Sequence, residues 1–95
     1  MIIVPADDGI DVLEPLDFKR FSLQLAAGAA QADTPAVSFD GDTAWIAEAA
    51  LRGWPGGRAL PEWQDGLSAM IAFARTKGWV RAADGAVRAH VERQA

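Results

Sequence analysis

Trp79, Arg81, Arg88 and His90 are the residues best placed to do chemistry in this sequence. Two guanidiniums, an imidazole and an indole on one face of a strand pair would hold a small ligand or an anion such as a phosphate or carboxylate. Trp54 and Arg58 form a second candidate, in the run Trp-Pro-Gly-Gly-Arg at 54–58, where an indole that a small domain cannot enclose would find a partner at an interface. These six residues are the candidate binding surface. Four tryptophans (Trp45, Trp54, Trp63, Trp79) in 95 residues are either large fillers for an alanine-rich core or contact residues.

Other chemistries lack the necessary atoms. A nucleophile with its base needs Ser or Cys near His, and the chain has one histidine, no cysteine, no tyrosine and three scattered serines. One imidazole gives no zinc spacing, and Asp7-Asp8-Gly9-Ile10-Asp11 lacks the alternating oxygen ligands of a calcium loop. Asp40-Gly41-Asp42 reads as a turn and helix cap rather than a magnesium site. Gly56-Gly57-Arg58 precedes a helix that starts at Pro61, but it has neither the P-loop nor the dinucleotide spacing, and Glu62 and Asp65 would repel an anion there. No catalytic residue, metal or cofactor is expected.

Composition narrows the setting. Of 95 residues, 51% are apolar, but 20 of these are alanine, which leaves material for one small core. No apolar run approaches the roughly 20 residues that span a bilayer, and the start reads as a strand closed by Pro5 rather than a signal peptide, so the cytoplasm is the expected location. Residues 1–48 hold nine acids against two bases, a net of −7, and residues 49–95 hold seven bases against four acids, a net of +3. The overall −4 disfavours nucleic acid and acidic membranes as partners. The asymmetry suits self-association, with the acidic front of one copy meeting the basic back of another.

The elements that must position these residues follow from periodicity. Ile2, Ile3 and Val4, a turn around Ala6-Asp7-Asp8-Gly9, and Ile10, Val12 and Leu13 read as a hairpin. Residues 18–25 alternate as a half-buried strand, although Phe18, Phe21, Leu25 and Ala29 also recur at helical spacing. Val37 and Phe39 give another strand. A helix over 43–52 is expected after an Asp42 cap and before Gly53, and a second over 61–77, with Trp63, Leu67, Met70 and Ala74 as its buried stripe. Asp84-Gly85 predicts a two-residue turn in a closing hairpin over 79–92, pairing Val80 with Ala89 and setting Arg81 opposite Arg88. Such a like-charge pair is unfavourable unless an anion lies between.

The expected fold is a single α+β domain over residues 1–95, with short antiparallel strands from both ends and the two helices on one face. Over residues 43–92 the order of two helices and a hairpin resembles, in topology alone, the end of a winged-helix domain. That would make the chain a nucleic-acid binder, yet the helix over 61–77 offers only Gln64, Arg75 and Lys77 to base edges. The leading expectation is a non-catalytic interaction module that forms a homodimer, because an exposed hairpin edge, surplus tryptophans and a sparse core all gain from a second copy. A small-ligand or anion-binding domain using the Trp79, Arg81, Arg88 and His90 face is the alternative, and an unknown protein is a further possible partner.

Overall fold

A computed structural model describes residues 1–6, 9–26, 28, 29 and 31–93, with the Arg58 side chain outside that description. The turn expected at Asp7 and Asp8 lies outside the described residues. Strands β1 (Ile2–Ala6) and β2 (Gly9–Leu13) form the expected antiparallel hairpin, with Ala6 opposite Gly9. β3 (Ser22–Leu25) settles the two-way reading of residues 18–25 in favour of strand, though it starts only after a turn across Glu14 and Pro15. β4 (Val37–Asp40) and β5 (Thr43–Ile46) form a second hairpin, in which Gly41 takes the positive φ of +62° that such a tight turn requires.

β5 replaces the front of the expected 43–52 helix. Thr43 and Trp45 are half-buried while Ala44 and Ile46 are buried, a period of two that satisfies the core only in an extended chain. The helix shrinks to α1 (Glu48–Arg52), and Asp42 is no cap: its carbonyl accepts from the Val91 N–H at 2.8 Å. α2 (Pro61–Thr76) follows the sequence reading closely, burying Trp63, Leu67, Ile71 and Ala74, while Met70 is only half-buried.

β6 (Val87–Arg93) enters the middle of the sheet, giving the order β2-β1-β3-β6-β5-β4. It runs parallel to β3, with Ser22 beside His90, and antiparallel to β5, with Trp45 beside Arg88. β1 and β3 are also parallel, so the sheet is mixed rather than antiparallel throughout. This placement corrects two expectations. The last strand is no wing on a winged helix, and the exposed edges belong to β2 and β4 rather than to a terminal hairpin.

The closing hairpin itself is reduced to one bridge, Val80 to Val87, two residues out of the expected register. Its loop spans 82–85 because the Asp84 carboxylate turns back to the Arg81 guanidinium, at 3.0 and 2.6 Å, and to the Ala86 N–H at 3.1 Å. A shift of two preserves the faces, so Val87, Ala89 and Val91 still point inward and Arg88 and His90 outward. It also moves Arg81 away from Arg88, which now faces Trp79 across a 2.8 Å bond from its N–H to the Trp79 carbonyl.

Tryptophan packing fixes the link before α2. A 3-10 helix, Pro55–Ala59, carries Gly57 so close to the fully buried Trp63 ring that an added Cβ would lie 2.5 Å from its Cε3. Gly57→Ala is therefore expected to lower stability by about 1–3 kcal/mol, read from the urea midpoint, because the enclosed ring has no room to retreat. An unchanged midpoint would contradict this packing.

Candidate binding groove

The C-terminal end of α2 builds the most distinctive surface of the molecule. Gly78 adopts a φ of +75°, its N–H donates to the Arg75 carbonyl at 3.2 Å, and the Trp79 N–H donates to the Ala74 carbonyl at 2.9 Å. This pair of bonds is a Schellman closure, which brings the residue after the left-handed glycine back over the last helical turn. Trp79 accordingly meets Phe73 edge to face, with ring centroids 6.0 Å apart and planes at 69°. The Lys77 ammonium lies 5.5 Å from the Phe73 ring centre, within range of a cation–π attraction.

Those aromatic rings form one wall of a groove of about 630 Å³. Phe18, Phe21, Met70 and Ala74 complete its apolar lining, and Lys19, Arg88 and His90 give the polar part. Phe18 can reach α2 because position 66 is glycine: a Cβ there would strike the Phe18 ring. Arg88 and His90 reach the groove from β6, whose alternation turns Val87, Ala89 and Val91 into the core. The four ion pairs among the described residues engage Arg20, Arg52, Arg75 and Arg81, and leave Lys19, Lys77 and Arg88 without a carboxylate partner. The result, among the described residues, is an apolar trough with cationic side chains beside it that make no ion pair.

The structure divides the six expected surface residues. Trp79, Arg88 and His90 come together in the groove. Arg81 is tied to Asp84 and stacks 5.3 Å from the centre of the Trp45 ring, so it serves the loop and the neighbouring strand instead. Trp54 belongs to a different place, a hollow of about 760 Å³ lined by Ile10, Pro35, Ala49, Ala50 and Gly53. Its indole N–H donates to Asp11 Oδ1 at 3.2 Å, and its ring meets Trp63 edge to face at 5.2 Å. Gly56 and Gly57 owe their small size to these two rings, since a Cβ on either would overlap Trp54 or Trp63. The glycine pair is a seat for indoles, and the Arg58 side chain lies outside the described residues.

Sequence reasoning missed Phe18, Lys19, Phe21, Met70 and Phe73. Phe73 carried a usable signal, because it sits one residue before the buried Ala74 and off the Trp63, Leu67 and Ile71 stripe, on a face otherwise made of small and polar residues. Among the described residues no three His, Asp or Glu side chains gather as metal ligands, and the Ser22 hydroxyl beside His90 in the sheet makes no hydrogen bond.

The Arg81–Asp84 pair gives the loop at 82–85 a defined pH response. The Arg81 guanidinium, followed by the Ala86 N–H, holds the Asp84 carboxyl at about 2, below its ordinary 3.8. A depressed folded value means that the pair stabilises the fold above the ordinary carboxyl range and is lost as pH falls through about 2. Asp84→Asn should thus melt below the wild type at neutral pH, with the gap narrowing from about pH 4 and closing near pH 2. A gap that stayed constant across that range would show that the carboxylate charge plays no part.

Comparison of the chain with protein-family models, with curated proteins and with solved structures finds no match to any of the three.

Proposed function

We propose that the protein is a non-catalytic interaction module that self-associates through the α2–β6 groove. The observation that carries this reading is the exposure of Phe73 at 55% and Trp79 at 41%, side by side in one trough. Small soluble domains seldom leave adjacent large aromatic rings in water, and Trp, Phe, Met and Arg are the residue types enriched at contact surfaces. The motive drawn from an exposed hairpin edge no longer applies, because β6 is paired on both sides. Covering the aromatic trough replaces it.

Sedimentation across a concentration series tests the reading. The expected result is a mass that rises from 10.1 kDa toward twice that value, and a Phe73→Ser variant that stays at the lower mass and melts where the dilute, monomeric wild type does, since the lost side chain contributes little to the core. A wild type that remains at 10.1 kDa throughout would overturn it.

A second reading, a small amphipathic anion as ligand, is favoured by one observation. Arg88 and His90 share a groove of about 630 Å³ with four aromatic side chains, a volume typical of ligand sites. In that case aromatic carboxylates at millimolar concentration should raise the melting temperature, and Arg88→Ala should abolish the rise. No shift with any carboxylate would remove this alternative.

A further inference from the structure

Resting on the self-association reading, we infer that the occupant of the groove is the turn over residues 13–17 of a second copy. Among the described residues, four large apolar side chains are exposed: Leu13 at 44%, Leu16 at 50%, Phe73 at 55% and Trp79 at 41%. They fall into two pairs of opposite electrical character. Phe73 and Trp79 belong to the trough beside Lys19, Lys77 and Arg88. Leu13 and Leu16 alternate with Glu14 and Asp17 in the sequence Leu-Glu-Pro-Leu-Asp. An apolar, acidic projection and an apolar, basic trough are complementary in both respects, and burying them together desolvates little unpaired charge.

The backbone holds that projection outward. The Asp17 N–H donates to the Glu14 carbonyl at 3.1 Å, and Glu14 sits at φ +50°, a strained conformation for a residue with a side chain. Pro15 fixes the next dihedral, leaving Leu16 on the outside of a rigid turn. Within one copy this turn is secured elsewhere. The Asp17 carbonyl accepts from the Met1 ammonium at 2.5 Å, and Asp17 Oδ1 accepts from the Lys19 N–H at 3.2 Å, so Leu16 stays exposed beside its own groove. A second copy has to supply the filling.

Adjacency selects the symmetry. Leu16 precedes Phe18, a wall of the groove, by two residues, a Cα separation of at most about 7 Å. Projection and trough therefore occupy neighbouring patches, and one two-fold axis between them satisfies both contacts at once. That arrangement closes as a dimer, whereas distant patches would generate chains or rings.

The test is complementation between two surface variants. Leu16→Ser keeps the groove and loses the projection, and Phe73→Ser does the reverse. Each alone is expected to weaken dimerisation on the order of a hundredfold, since symmetry removes the contact twice. Mixed together they are expected to form a heterodimer through the one intact contact, weaker than wild type but absent from either variant alone, as read by native mass spectrometry. If Leu16→Ser dimerises like wild type while Phe73→Ser does not, the groove is the contact face but residues 13–17 are not its occupant, and this inference fails while the self-association reading stands. If Phe73→Ser also dimerises like wild type, or the wild type is monomeric, both fail. A mixture that stays monomeric while wild type dimerises likewise overturns the projection-in-groove contact.

Discussion

The seating of β6 between β3 and β5 is the constraint on which the structure depends. The β1, β2 and β3 group and the β4–β5 hairpin share no strand pairing of their own, so one six-stranded sheet exists only because the final strand pairs with both. β6 buries Val87, Ala89 and Val91, and its partners bury Leu23, Leu25, Ala44 and Ile46. Central position and alternation together decide the chemistry of its other side, where Arg88 and His90 must face outward. Joining the first and last thirds of the chain in this way makes the fold rich in distant contacts, which slows closure of the sheet relative to a helical bundle of equal length.

Indole packing solves a second problem, that of filling a core whose apolar residues are largely alanine. Trp63 is fully buried, and Trp54 closes over it edge to face with its N–H satisfied by Asp11 on β2. Glycines at 56 and 57 let both rings approach the backbone. Among the described residues the Trp63 indole N–H has no hydrogen-bond partner, and shape complementarity holds the ring in place. Trp79 has a different role. The Schellman closure at Gly78 sets it over the end of α2, outside the core, so the tryptophans divide between buried filler and exposed surface.

Local signals in the sequence were legible wherever the local pattern and the tertiary fold agree. α2 was readable end to end because Pro61, its apolar stripe and Gly78 all point to the same helix. The first hairpin and the β4 turn at Gly41 were equally plain, whereas residues 18–25 fitted both periods and only the sheet decides for strand. Thr43-Ala-Trp-Ile was not plain either, since four residues fit either period and the alanines that follow favour helix. Its strand state is imposed by β6, a partner more than forty residues away. The Asp84-Gly85 signal was real but misleading in register, because the Asp84 carboxylate binds Arg81 and widens the loop by two residues. For the site, three of the six expected residues meet in the groove, while its other aromatic walls come from α2 and from residues 18–21, which only tertiary folding brings together.

Whether a second copy covers the aromatic trough is the decisive question. A dilution series followed by two-dimensional amide NMR addresses this residue by residue in the unmodified protein. Concentration-dependent changes are expected in residues 13–21, 70–79 and 87–90, with the hollow beside Trp54 silent. Spectra independent of concentration, or changes centred on Trp54, would contradict this expectation.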